Sequence, residues 1–181
     1  MKKLKLPLII AGIALAIFLC IMFWMQGIQN KAISLEEQIE NAQSQISTQE
    51  KRRAELIPKL AECVKEYDEH EYQTLMDVIE SRGTNTDSAA EEIQTMIQAV
   101  SEQYPELKSS DNYKELMNEL STTANMITSY RNNYTNCVKR YNTYVRKFPN
   151  RNVLGYLGYE QVNYEYLQYE VEDFSETPLF E

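Results

Sequence analysis

The chain has 181 residues and a formal charge of −9, with 27 Asp and Glu against 18 Lys and Arg. Lys2, Lys3 and Lys5 precede a long apolar run, so the remainder carries 15 cations against the same 27 acids, which excludes a nucleic-acid-binding surface with its basic footprint. Five Gly and five Pro are too few for a fold of many tight β-turns, and the residues after the apolar run suffice for one domain with its own core.

Residues 1–5 form a short basic N-terminus. Residues 6–25 carry no charge, and 20 helical residues rise about 30 Å, the thickness of a bilayer's hydrocarbon core. A cleaved signal peptide has a shorter apolar region and a small-x-small site after it, whereas Gln26-Gly27-Ile28-Gln29-Asn30-Lys31 offers none. Phe18 and Leu19 ahead of Cys20 also do not suit a lipoprotein signal. The expectation is an uncleaved single-pass transmembrane helix, in contact with the lipid bilayer through residues 6–25. Three lysines before the span and only Lys31 in the ten residues after Gln26 place the N-terminus in the cytoplasm and the rest of the chain outside it.

From Leu35 apolar positions recur in steps of four and three: Leu35, Ile39, Ala42, Ile46, then Gln49, Arg53, Leu56, Leu60, Cys63 and Tyr67. That 3.5-residue period is a helix-packing seam. Pro58 lies inside it and either kinks one helix or opens a second. The pattern fades at residues 83–88, where Gly83 suits a C-terminal cap and Asp87 or Ser88 an N-cap. A short helix is expected over about 88–103, with Ile93, Met96, Ile97 and Val100 on one face, then a loop through Pro105 capped by Ser110 or Asp111. The last seam runs Tyr113, Met117, Leu120, Ala124, Ile127, Arg131, Tyr134, Val138, Tyr141, Val145 and Phe148, about 54 Å of helix ended by Pro149. Fold class is therefore all-α: a transmembrane helix followed by an elongated, antiparallel four-helix-type bundle over residues 26–151. Residues 152–181 carry seven acids and no Lys or Arg among five tyrosines, an acidic tail expected to drape partly on the bundle.

No phosphate loop, nucleophile elbow or clustered Cys/His pattern appears, so no catalytic residue, cofactor or metal is expected. Cys63 and Cys137 either pair, if their helices adjoin, or remain small buried thiols. His70, the single histidine, has Glu66 one helical turn before it and Glu71 beside it, too few ligands for zinc. Arg53 and Arg131 occupy seam positions where an unpaired charge is costly. Each is expected to meet a carboxylate between helices or to lift to the seam's edge. The functional alternative is a recognition site for an acidic peptide or lipid headgroup. Tyr130, Tyr134, Tyr141 and Tyr144 read as core rather than as a binding groove. Arg52, Lys139, Arg140, Arg146, Lys147 and Arg151 read as solvated surface charge.

Three segments together carry a family likeness: Asn41-Ala42-x-Ser44-Gln45-Ile46, then Lys51-Arg52-Arg53-x-x-Leu56-Ile57-Pro58-x-Leu60, then Val64-Lys65-x-Tyr67-x-x-His70-Glu71. Tyr104-Pro105-x-Leu107-Lys108, Tyr134-x-x-x-Val138-x-x-Tyr141-Asn142-Thr143-x-x-Arg146-x-Phe148-Pro149 and Pro178-x-Phe180-Glu181 follow in order. The chain resembles the LemA family. It departs from that pattern at Gln43, Ala124 and Met126, in a shortened turn near Gly83, and in the Tyr-rich stretch before Phe180. The resemblance implies a bacterial inner-membrane protein with an N-terminal anchor and an antiparallel four-helix domain. With no converging catalytic groups, the expected role is a non-enzymatic membrane scaffold or adaptor with a protein partner and a capacity to form homo-oligomers. A sensory module acting through a partner's membrane helix is the second reading, and an enzyme the third.

Overall fold

The computed structural model describes residues 5–83 and 87–167, the side chains of residues 5–8 excepted. Lys2 and Lys3, residues 84–86, Tyr169 and the Pro178 to Glu181 signature lie outside the described residues. Among the described residues six helices follow in order: α1 Lys5–Lys65, α2 Glu69–Arg82, α3 Asp87–Gln103, α4 Pro105–Ser109, α5 Asp111–Arg146 and α6 Asn150–Tyr156. No strand occurs among the described residues, so the chain is all-α as its periodicity predicts. The chain divides into two compact units, Glu40–Tyr134 and the described residues on either side of it, with α1 and α5 contributing to both.

The Glu40–Tyr134 unit is built around Leu56, Ile57, Leu60, Ala61 and Val64 of α1, Leu75 of α2, Ile93 and Ile97 of α3, Leu107 of α4, and Tyr113 and Leu120 of α5. Pro58 neither divides α1 nor starts a second helix; it lies inside an unbroken one. A proline in a helix interior costs about 3 kcal/mol. Here Leu56, Ile57, Leu60 and Ala61 on either side of it are fully buried, and each large apolar side chain returns about 1.5–3 kcal/mol. Packing therefore carries the helix across the proline.

The break falls at residues 66–68, ending at Asp68. Asp68 is extended (φ −152°, ψ 111°), and its Oδ1 accepts from the backbone N–H groups of His70 at 2.8 Å and Glu71 at 3.0 Å. It is the N-cap of α2, satisfying donors that the first helical turn otherwise leaves unpaired. The phenol of Tyr104, between α3 and α4, donates to Asp68 Oδ2 at 2.6 Å, and this bond, with the two backbone donors, holds the Asp68 carboxyl below its usual range. Its contribution is present above the unfolded-state pKa and lost as pH falls through the lower folded one. Asp68→Ala should lower the melting temperature of the full chain in detergent, followed by helical circular dichroism. Asp68→Asn, which keeps the cap and loses the charge, should restore most of the loss and flatten the acid side of the pH profile.

In α5 the seam departs from its predicted register in mid-course. Thr123 is buried and Ala124 exposed, so the buried line runs Leu120, Thr123, Ile127. At the far end Phe148 is 77% exposed, because the helix ends at Arg146 and the chain turns before it.

The second unit begins with the apolar stretch of α1. From Ile9 to Trp24 its large side chains are exposed, and it is long and apolar enough to cross a membrane. After it Ile28, Ala32, Leu35 and Ile39 are buried, as are Val138, Tyr141 and Val145 of α5 and Leu154 of α6. Residues 150–156, read from the sequence as bundle end and tail, form α6. It closes in a Schellman pattern: Tyr159 N–H donates to Leu154 O at 3.0 Å and Gly158 N–H to Gly155 O at 3.2 Å, with Gly158 at φ +68°. A Cβ at Gly158 would meet nothing within 4 Å, so a substitution is opposed by backbone strain alone. Gly158→Ala should cost about 1 kcal/mol and raise protease sensitivity after Leu157, measured by limited proteolysis and mass spectrometry.

Candidate functional site

Within the Glu40–Tyr134 unit Arg53 and Arg131 meet on one carboxylate. Arg53, from the buried face of α1, places Nη1 2.6 Å from Asp87 Oδ1. Arg131, a little past the middle of α5, bonds Asp87 Oδ2 through Nη1, and its Nη2 reaches Asp87 Oδ1 at 3.3 Å and Glu50 Oε1 at 2.8 Å. Asp87 is the first residue of α3, where a helix dipole favours negative charge. Two cations and two anions from three helices thus balance. The Arg53 side chain is only 7% exposed, that of Arg131 18%, and Asp87 retains 45%.

Burial would raise the Asp87 carboxyl, but the hydrogen bonds and charges of Arg131 and Arg53 outweigh it and hold the group below its usual range. Arg131 is likewise opposed by burial and raised by Asp87 and Glu50. Beside the cluster, Arg52 Nε donates to Glu119 Oε1 at 2.8 Å, a second tie between α1 and α5. The sequence offered Asp87 or Ser88 as an N-cap, whereas both lie within the first turn of α3; the service of Asp87 to both arginines was not legible, because residues 53, 87 and 131 are far apart in sequence.

His70 has no part in this cluster. It is the second residue of α2, exposed, with its backbone N–H held by Asp68. Glu66 does not lie one helical turn before it, since α1 ends at Lys65 and Glu66 sits in the intervening turn. Among the described residues no three His, Cys, Asp or Glu side chains gather at metal-binding distance. Cys63 and Cys137 are not joined in a disulfide. Burial, followed by the nearby charges of Glu66 and Glu62, pushes the Cys63 thiol up, which makes it a poor nucleophile. An open groove of about 620 Å³ runs along α3, α4 and α5, lined by Ser101, Glu102, Lys108, Tyr113, Lys114 and Met117.

The other unit has its own polar knot, centred on Tyr141. This side chain is fully buried, and its hydroxyl donates to Glu36 Oε1 at 3.0 Å, accepts from Val162 N–H at 3.2 Å and lies 3.3 Å from the Tyr159 hydroxyl. Tyr164 meets its ring edge-on at 5.3 Å, and Asn142 Nδ2 donates to Tyr164 O at 3.3 Å. Burial and then the Glu36 carboxylate push the Tyr159 hydroxyl far above the ordinary phenol range. Both phenols therefore stay protonated as donors. Tyr144 Oη donates to Ile28 O at 3.3 Å. Tyr159 and Tyr164 are where the sequence's tail docks, and the Leu-Gly-Tyr-Leu-Gly-Tyr run at residues 154–159 was the available signal.

The segments that carry these ties, around residues 51–60, 104–108 and 134–149, are the ones whose residue pattern resembles a known family. The sequence profile of the LemA family matches residues 42–179. The chain belongs to the LemA family. No curated protein matches it. Seen within the LemA match, Arg53, Asp68, Asp87, Tyr104, Arg131 and Tyr141 all fall inside the matched residues, whereas the apolar stretch of α1 precedes them.

Proposed function

We propose that this LemA-family chain is a non-enzymatic, membrane-anchored helical scaffold or adaptor of the bacterial cell envelope, with its N-terminus cytoplasmic and its helical units outside. The observation that carries the reading is the single helix α1, which runs without a break from a membrane-length apolar stretch into the core of the Glu40–Tyr134 unit. Within the Glu40–Tyr134 unit the bonds from α1 to α5 step in opposite directions, Glu50 with Arg131 and Arg52 with Glu119, an order that supports an antiparallel pair of helices there. The charged groups of the cluster bond to one another, as suits a rigid presenting surface.

The orientation follows from the lysine asymmetry across the span. Crosslinking the full-length protein in its native membrane and identifying its adducts by mass spectrometry tests the reading. A reproducible protein partner joined to exposed helical faces is expected; a robust activity of the purified chain abolished by Arg53 or His70 substitutions would refute it. The continuity of α1 also favours a second reading, in which the same helix relays a signal through a partner's membrane helix.

A further inference from the structure

The Tyr144 to Ile28 bond fixes a level relative to the apolar stretch. Ile28 comes three residues after Met25, where the charge-free run ends, a helical rise of about 4.5 Å. Within this unit Tyr141 bonds Glu36 and Tyr144 bonds Ile28, so continuing along α5 leads towards Met25. Two residues further α5 ends at Arg146, and the chain turns back through Pro149, with Asn150 Nδ2 donating to Tyr144 O at 3.1 Å. The turn holding Phe148 is thereby held at the end of the unit where α1 becomes apolar.

Two features of this turn are unusual. Phe148 is 77% exposed, as are Phe23 at 76% and Trp24 at 53% on the neighbouring stretch of α1. A water-facing phenylalanine loses burial energy, whereas aromatic rings at the level of lipid headgroups form the belts that flank membrane spans. In a chain of net charge −9, residues 120–159 contain no Asp or Glu but include Arg131, Lys139, Arg140, Arg146, Lys147 and Arg151. Arg131 is engaged with Asp87 and Glu50, while Arg146, Lys147 and Arg151 are exposed around Phe148, Arg146 making one long bond from Nη2 to Asn163 Oδ1 at 3.4 Å.

We propose that this turn is a second membrane-contacting element: Phe148 enters the boundary between headgroups and acyl chains, and Arg146, Lys147 and Arg151 engage anionic lipid phosphates. The proposal rests on the reading of α1 as a membrane anchor. Continuity with that helix selects a lipid surface as the occupant, because the anchor keeps the turn at headgroup level and makes docking an intramolecular event with a high effective concentration. Each cation near an anionic surface is worth about a fivefold shift in the docking equilibrium, and the attraction is screened by salt.

Trp24 is the single tryptophan, which permits a test on the full-length chain. The wild type and a Trp24→Phe, Phe148→Trp variant are reconstituted in phosphatidylcholine vesicles with and without one third phosphatidylglycerol, and quenched by brominated lipid or by aqueous acrylamide. Circular dichroism confirms that the variant keeps its helices. The indole placed at position 148 should be quenched by brominated lipid and shielded from acrylamide, more so in anionic vesicles, and combined Arg146→Glu, Lys147→Glu and Arg151→Glu reversal should abolish the difference. Lipid quenching of wild-type Trp24 without quenching at position 148 overturns the proposal and leaves the anchor standing. A position-148 signal indifferent to phosphatidylglycerol and to charge reversal also overturns it. Absence of lipid quenching at Trp24 itself overturns the anchor, and this inference with it.

Discussion

Asp87→Asn should destabilise the full chain by about 2–3 kcal/mol, read from urea unfolding in mild detergent. Breaking a buried pair by removing one partner costs about 3–5 kcal/mol, and the value is reduced here because the Asp87 side chain is 45% exposed and solvent screens part of the loss. The substitution takes the Asp87 carboxylate away from Arg53, 7% exposed, and leaves Arg131 with Glu50. Arg53→Leu should cost less, because an apolar side chain fits that seam position and Asp87 keeps Arg131. The pH dependence follows from the sign of the shift. Asp87 is held below its unfolded-state pKa, so its stabilisation is fully present above about pH 4 and disappears as pH falls through the folded value. The wild type should therefore lose stability on acidification more steeply than Asp87→Asn. Equal acid slopes for the two proteins would show that the carboxylate is not ionised against the arginines.

Tyr141→Ala should be the most costly single change in the other unit, at about 3–5 kcal/mol for a fully buried aromatic side chain. It removes the ring that Tyr164 packs against and the hydroxyl shared by Glu36, Tyr159 and Val162. Tyr141→Phe keeps the ring and deletes the hydroxyl, leaving those partners to rearrange, and should cost about 1–2 kcal/mol. Both should expose residues 157–167 to proteolysis, Tyr141→Ala more rapidly. If cleavage there were unchanged in Tyr141→Ala, the segment would owe its position to contacts other than the Tyr141 knot.

The Asp87 cluster ties α1, α3 and α5 together in one unit, and the Tyr141 knot holds the chain after α6 against α1 and α5 in the other. A family assignment on residues 42–179 is consistent with many biochemical roles, since function resides in sites rather than in folds.

Much was already legible in the residues. Periodicity alone determined the helical class, the buried face of α1 from Leu35 to Ile46, the start of α3 to within a residue and the place of α5, because a 3.5-residue apolar repeat has no other economical use. A charge-free run of 20 residues likewise determined a membrane-length helix. The sequence also marked Arg53 and Arg131 as charges needing partners. Tertiary structure decided the rest, wherever two local signals competed or the deciding contact was distant. Pro58 signalled a break, but its neighbours' burial carried α1 through it, and the break fell at Asp68, where a cap and Tyr104 from 36 residues away outweigh continuation of the helix. Ala124 lost its seam position to Thr123, α6 formed where composition read as a tail, and Asp87 became common to two arginines. Local propensities are differences of tenths to about one kcal/mol per residue, whereas one buried side chain or charge pair is worth several times that, and which of those contacts exist is set by the fold.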